Sequence, residues 1–211
     1  MKNIVILISG RGSNMQAILE AKPSMNIALV ISNKPDAPGL QTARRHGVPT
    51  IVLNHRDYPG REAFDAALAA KIDECRADLV VLAGFMRILT PGFVERYRNR
   101  LMNIHPSLLP AFTGLDTHAR ALAEGVKIHG CTVHFVTDTL DRGPIIAQAA
   151  VPVLSTDNEE TLAARVLAQE HRIYPAAVRW FVEDHLEMQA DGTVRLKNAA
   201  VEADKLTTGH L

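Results

Sequence analysis

The sequence predicts a three-layer α/β domain built on a mostly parallel sheet. Three observations predict it. Ile4–Ile8, Ile27–Ile31 and Leu79–Ala83 are short apolar runs without alternation, the pattern of strands covered on both faces. Each leads into a glycine-containing or polar turn, and helix-like segments follow all three. After Pro110 the rhythm changes to longer alternating runs, which adds antiparallel strands in the C-terminal half.

In order, Ile4–Ile8 is the first strand and Met15–Ala21 the first helix. Between them lies Ser9-Gly10-Arg11-Gly12-Ser13-Asn14. Gly10 and Gly12 allow close approach and positive φ, Ser13 or Asn14 caps the helix, and Arg11 adds a positive charge. Amides at a helix start receive anions, so the loop is a candidate single-phosphate cradle; a plain capped βα turn is the alternative. It lacks Walker spacing. Ser13-Asn14 replaces the third glycine of a dinucleotide fingerprint, and Ser32-Asn33-Lys34 stands where an acidic ribose-binding residue belongs.

Ile27–Ile31 is the second strand, Leu40–His46 a short helix stopped by Gly47, and Pro49–Leu53 a third strand. A polar loop spans residues 54–60. Arg61–Cys75 is a helix with Phe64, Leu68 and Ile72 on one face. Arg61 lies in its first turn, where the dipole disfavours a cation; a surface position explains it, and so does a phosphate contact. Leu79–Ala83 is the fourth strand, bounded by Gly84. Pro91 starts a helix through Tyr97.

Leu101–His105 is the fifth strand. Pro106 has no amide hydrogen and ends it, so Asn103 and His105, on one face by alternation, stand at the carboxyl end where α/β sheets bind ligands. An amide donor beside an imidazole suits a developing oxyanion; a hydrogen-bonded turn histidine is the plainer alternative. Thr117–Glu124 is a helix. Ile128–Val136 and Pro144–Val151 form a wide hairpin whose loop holds Asp138 and Asp141. Asp141 beside His105 would orient the ring and accept a proton; an Asx turn explains it equally, and Asp138 competes for the role. A long helix starts at Asn158–Thr161, capped by Asp157 or Asn158, and bends or restarts at Ile173-Tyr174-Pro175. Residues 187–196 form a small hairpin turning at Asp191-Gly192, and the tail from Val201 is loose.

Composition sets limits. The 211 residues carry 23 basic and 23 acidic side chains, which argues against a general polyanion binder, and 47% hydrophobic residues supply a core. Cys75 and Cys131 have no metal-ligand spacing and fit structural thiols in a reducing compartment. His118, His129 and His134 do not form a closed zinc pattern, so no metal is expected. Ser107 lacks a nucleophile elbow, which disfavours a hydrolase of that type. The N-terminal apolar run meets Arg11, Asn14 and Gln16 too soon for an export signal, and no run reaches membrane-spanning length, so the expected location is cytoplasmic.

Four blocks together resemble one family: residues 9–14, Ala83-Gly84-Phe85-Met86-Arg87-Ile88-Leu89, Asn103-Ile104-His105-Pro106-Ser107-Leu108-Leu109-Pro110, and Asp138-Thr139-Leu140-Asp141-Arg142-Gly143-Pro144. They look like the folate-dependent formyltransferases, in the branch acting on glycinamide ribonucleotide. With Gln169–Pro175 included, the likeness covers nearly the whole chain.

The resemblance implies a Rossmann-like three-layer formyltransferase fold. It implies one domain over 1–211, with a phosphate-binding half at 1–100, a catalytic and folate-binding half at 101–200 and a flexible tail at 201–211. The implied reaction moves formyl from the co-substrate 10-formyltetrahydrofolate to the ribonucleotide amine in purine synthesis, without metal, nucleic acid or membrane, in a monomer or homodimer. It assigns Asn103, His105 and Asp141 to catalysis, and Gly10, Arg11, Gly12, Ser13 and Asn14 to the substrate phosphate. Glu170 and Ser107 go to the ribonucleotide. Arg61, Met86, Arg87, Ile88, Leu89, Val136 and Asp138 go to the folate. The chain departs from the family at Ala111–Gly114, where a basic residue and a proline are common. It departs also at Asp116, often histidine, and at Arg142, often glycine.

The alternatives are a formyltetrahydrofolate hydrolase, a methionyl-tRNA formyltransferase and a non-enzymatic phospho-ligand binder. Hydrolase relatives carry an added N-terminal domain and tRNA relatives an added C-terminal one. The first strand at Ile4 and the end of the chain leave room for neither.

Overall fold

A computed structural model describes residues 1–21 and 24–197. Two compact units divide at residue 103. The tail expected to be loose lies outside the described residues.

The first unit, Met1–Asn103, is a parallel βα array. Its strands are β1 (Asn3–Ile8), β2 (Asn26–Ser32), β3 (Thr50–Val52), β4 (Leu79–Leu82) and the start of β5 (Leu101–His105). They run in the order β3-β2-β1-β4-β5, parallel at every pairing. Ile4 to Ile8 are all fully buried, as a central strand covered on both faces requires. The helices are α1 (Ser13–Glu20), α2 (Gly39–Arg45), α3 (Arg61–Glu74) and α4 (Pro91–Arg96). In α3, Phe64, Leu68 and Ile72 face the core, and Asp65 is buried beside them. The loop expected between β3 and α3 contains a 3₁₀ turn at His55–Asp57, capped by the Asn54 side chain.

Two details of the first turn differ from the sequence reading. Gly12, at φ 71°, occupies the cap position of α1, and no side chain caps it; Ser13 and Asn14 lie inside the helix. Gly12 is also the only glycine of the pair at positive φ. A Cβ there would meet the Gly39 backbone at 3.2 Å, so close packing of the loop on α2 joins the backbone angle in requiring glycine. Gly10 is open around its Cα instead.

The second unit, from Ile104 onward, is built on the antiparallel pair β6 (Ile128–Phe135) and β7 (Ile145–Pro152). Helices α5 (Thr117–Ala123) and α6 (Glu159–Val182) pack there, around Ala121, Cys131, Val151, Leu162 and Val166. Asn158 caps α6 in a reciprocal capping box with Thr161. The helix neither stops nor restarts at Pro175. Tyr174, Ala177 and Val178 are fully buried around it, so apolar packing carries the helix across a residue that breaks one hydrogen bond. A hairpin of β8 (Leu186–Met188) and β9 (Val194–Leu196) follows. Its reversal uses Gly192 at φ 83°, whose amide donates to the Gln189 carbonyl.

Parallel strands thus come first and antiparallel ones towards the C-terminus, as expected. Among the described residues no helix is long and apolar enough to cross a membrane.

Gly130 is forced by the β6–β7 pairing: a Cβ would sit 2.0 Å from the Ala149 carbonyl oxygen, a backbone atom that cannot swing away. Gly130→Ala is expected to lower stability by about 3 kcal/mol, the upper end of overpacking costs. A urea midpoint unchanged by the substitution would contradict this.

Candidate active site

β5 ends where the proline requires. Its last residue, His105, is buried, and the Ser107 amide donates back to the His105 carbonyl at 2.9 Å, turning the chain sharply. Asn103, two residues earlier, leaves the strand on the same side and is half-buried.

Within the second unit the His105 ring lies between two acceptors. Nε2 is 2.9 Å from the Phe112 carbonyl, and Nδ1 is 3.5 Å from Asp141 Oδ2. A carbonyl can only accept, so Nε2 carries a proton. Nδ1 is thereby left facing the Asp141 carboxylate. The same Asp141 oxygen accepts the Gly114 amide at 2.8 Å. Asp138 is exposed and takes only a contact from the Thr139 hydroxyl. The competition between the two aspartates for the ring is therefore settled in favour of Asp141.

The loop connecting His105 to α5 is fastened from several sides. Thr132 Oγ1 donates to the Ser107 carbonyl at 2.7 Å and accepts the Leu109 amide at 3.0 Å. Gln148 Nε2 donates to the Leu109 carbonyl at 2.9 Å, and Thr117 Oγ1 donates to the Pro106 carbonyl at 2.8 Å. Arg120 donates to the Thr113 carbonyl at 2.6 Å with its guanidinium over the Phe112 ring. Ser107 is fully buried and its hydroxyl donates to the Ala111 carbonyl at 2.6 Å, so it serves the loop's own shape. Thr132, Gln148, Arg120 and the Phe112 and Gly114 backbone were missed by sequence reasoning. Nothing local marks them, because each acts on residues distant in the chain or through backbone atoms.

Glu170 is buried on α6 and close enough to Cys131 to oppose its ionisation; burial pushes that thiol far up. His134 is buried on β6. Its Nδ1 donates to its neighbour's carbonyl, and burial holds it neutral although Asp141 pulls the other way. His118 and His129 pair at 3.2 Å, and the Phe112 ring meets His129 edge-on. Burial, then the charge of His118, lowers His129 to about 4.

In the first unit the loop after β1 opens at the carboxyl edge. The first turn of α1 contains no acidic residue, and its amides lie outside the helix's own ladder. Arg11 is exposed beside it, while Gly12 and Asn14 are buried. The loop after β4 places Met86 and Ile88 at 64% exposure, with Phe85 and Leu89 inside. Arg87 is half-buried with its guanidinium 5.2 Å from the Phe64 ring centre. Arg61 is exposed at the start of α3. In the second unit β6 ends at Phe135, one residue short of the expected bound, and Val136 follows it half-buried.

The formyl transferase family model matches residues 2–178. The chain belongs to the formyl transferase family. It is 53% identical over 190 residues to phosphoribosylglycinamide formyltransferase of Escherichia coli K12, covering 88% of this chain and 90% of that one. It is 47% identical over 197 residues to the human trifunctional purine biosynthetic protein adenosine-3, covering 92% of this chain but 19% of that protein. The crystal structure of glycinamide ribonucleotide transformylase 1 from Symbiobacterium toebii superposes with a TM-score of 0.90 at 50% identity, over 94% of this chain and 95% of that one. The mostly parallel sheet with late antiparallel strands is therefore the architecture of this formyl transferase and its solved relatives.

The His129 shift has a definite pH consequence. The folded state resists a proton that the unfolded chain binds from its ordinary value of 6.5, so the contribution is whole above that pH and is lost as pH falls towards about 4. His129→Asn is expected to flatten the loss of stability between about pH 7.5 and about pH 5 in urea titrations. Parallel profiles for the two proteins would refute the assignment.

Proposed function

We propose that this formyl transferase moves the formyl group of 10-formyltetrahydrofolate to the amine of glycinamide ribonucleotide, in purine biosynthesis. The observation that carries the chemistry is the Asp141 carboxylate set against the ring of His105. The identity of the substrates is supported by the names of relatives matched end to end.

In this reading the amine attacks the formyl carbon and the carbonyl oxygen becomes negative. Asn103 donates to that oxygen, and protonated His105 adds a charged donor. The donor is Nε2, released by the Phe112 carbonyl, whose place the oxyanion takes. Asp141 holds the ring and helps pass a proton from the amine to the departing folate nitrogen, directly or through water. No covalent enzyme intermediate is required, and no metal enters the scheme.

Gly10, Arg11, Gly12, Ser13 and Asn14 receive the substrate phosphate through amides and charge. Glu170 meets the amine or ribose end of the ribonucleotide. Ser107, with its hydroxyl given to Ala111, contributes by shaping the loop. Met86, Arg87, Ile88, Leu89, Val136 and Asp138 are assigned to the folate, with Arg61 attracting its anionic tail. The enzyme works in the cytoplasm on small molecules, as a monomer or homodimer.

Formyl transfer measured with and without the ribonucleotide tests the reading. Folate deformylated only when the amine is present supports it; turnover without the amine indicates a hydrolase. Asn103→Ala and His105→Ala are each expected to lower kcat by roughly 10²- to 10³-fold, about 3 kcal/mol or more, the cost of one oxyanion donor. Their effects should fall short of additive, because both serve one oxygen. Normal turnover by either variant would sink its assignment. Asp141→Asn keeps an acceptor for the Gly114 amide but removes the charge beside the ring, and is expected to cut kcat by about 10²-fold or more. An unchanged kcat with an unfolding midpoint near wild type would remove Asp141 from the chemistry.

A further inference from the structure

Ser9 is the last residue before the phosphate loop, and it is buried. Its backbone amide donates to the Gly84 carbonyl at 3.2 Å. Its hydroxyl accepts the Met86 amide at 2.8 Å and donates to Asn33 Oδ1 at 2.6 Å. One residue of the loop after β1 therefore fastens both the turn and the first wall residue of the loop after β4. Asn33 is itself held: it is buried, and Nδ1 of His55 donates to its carbonyl at 2.9 Å. The hydroxyl proton is committed to Asn33, with one bond accepted and one donated, so rotating it breaks the bond to Asn33.

The wall has a second anchor that does not lead to the phosphate loop. The Thr90 amide donates to Asp65 Oδ2 at 2.6 Å, and between the two anchors Arg87 lies over Phe64. Met86 and Ile88 project into solvent from a segment pinned at both ends. At the phosphate side, the Gly39 amide donates to the Gly10 carbonyl at 3.1 Å, tying the loop to α2.

We propose that Ser9 is a positioning residue that couples the two substrate sites, so that an anion ordering residues 10–14 also sets the Met86–Leu89 wall. This rests on the assignment of those two loops to the ribonucleotide phosphate and the folate. An anion bound to the loop restrains Ser9; Ser9 restrains the Met86 amide; and the wall then pays less ordering entropy when the folate docks. Linkage makes the effect reciprocal, so folate tightens ribonucleotide binding by the same factor. Asp65, which holds only the wall, affects folate binding without this coupling.

The test is calorimetric binding of tetrahydrofolate to the whole chain, with and without saturating glycinamide ribonucleotide. Wild type is expected to bind the folate about fivefold tighter or better with the ribonucleotide present, within the usual range of coupling factors. Ser9→Ala should bind both ligands with that ratio reduced to less than about twofold, and Ser9→Thr, which keeps the hydroxyl, should restore it. Asp65→Asn should weaken folate binding and leave the ratio intact. If Ser9→Ala does not fold, Ser9→Cys, similar in size but a poor acceptor, must show the same loss. A wild-type ratio near one, or a ratio untouched by loss of the hydroxyl, overturns the coupling while leaving the functional reading in place. Failure of the wild-type chain to bind either ligand overturns both.

Discussion

One carboxylate oxygen, Oδ2 of Asp141, meets both the Gly114 amide and the His105 ring. It therefore ties together the turn after β5, the loop before α5 and the connection between β6 and β7. Only 8% of its side chain is exposed, so the carboxylate oxygens depend on such partners in place of water. Its backbone is strained to reach them. Asp141 sits at φ 53°, and Phe112 and Asp116, in the loop it holds, sit at 52° and 56°. Left-handed conformations cost non-glycine residues about 1–2 kcal/mol each. Arg76, Asn99 and Asp184 share that conformation elsewhere in the chain, so what marks this loop is that three such residues meet around one carboxylate. Gly143 completes the constraint: a Cβ there would lie 1.7 Å from the Phe135 carbonyl oxygen, so the connection can pass only as it does.

The first unit solves a similar problem with neutral groups. Ser9 and Asn33 replace the carboxylate, and the bonds they make are short, buried and complete. A neutral relay costs less to bury than a charge and leaves the local potential to Arg11 and the helix start, which suits a loop meant to receive an anion. In the proposed reaction the second unit instead needs a charge where a proton moves. The difference in chemistry between the two loops follows from what each has to bind.

Much of this was legible in the residues. β5 has the bounds expected of it because Pro106 is a local, backbone-level stop. The alternation of buried strands and helices was equally local, and so was the face of α3. The cap of α1 was misread because side-chain propensity pointed to Ser13 or Asn14. The closeness of Gly39, a tertiary fact, gave the position to glycine. The restart offered at Pro175 does not occur for a related reason: buried Tyr174, Ala177 and Val178 outweigh one missing hydrogen bond. The choice between Asp138 and Asp141 could not be made from sequence, since both lie in one loop and only the fold decides which reaches the ring. Ser107 shows what the motif alone leaves out. Its motif pointed to a ligand, but its hydroxyl is committed to Ala111.

Four histidines of the second unit divide the work by burial and partners. His118, His129 and His134 are each held towards the neutral form, with desolvation as the largest cause in every case, and a charge on His105 disfavours a charge on any of them. His105 alone among these four has a carboxylate against one ring nitrogen. Within the second unit, the ring of this group that faces a carboxylate is therefore His105, next to Asp141. The neutral rings can pack on Phe112 and pair with one another without competing for it. A charge on any of the other three would face both burial and repulsion from a charge on His105. In the proposed reaction His105 is the ring whose other nitrogen, once Phe112 yields it, becomes the donor to the developing oxyanion.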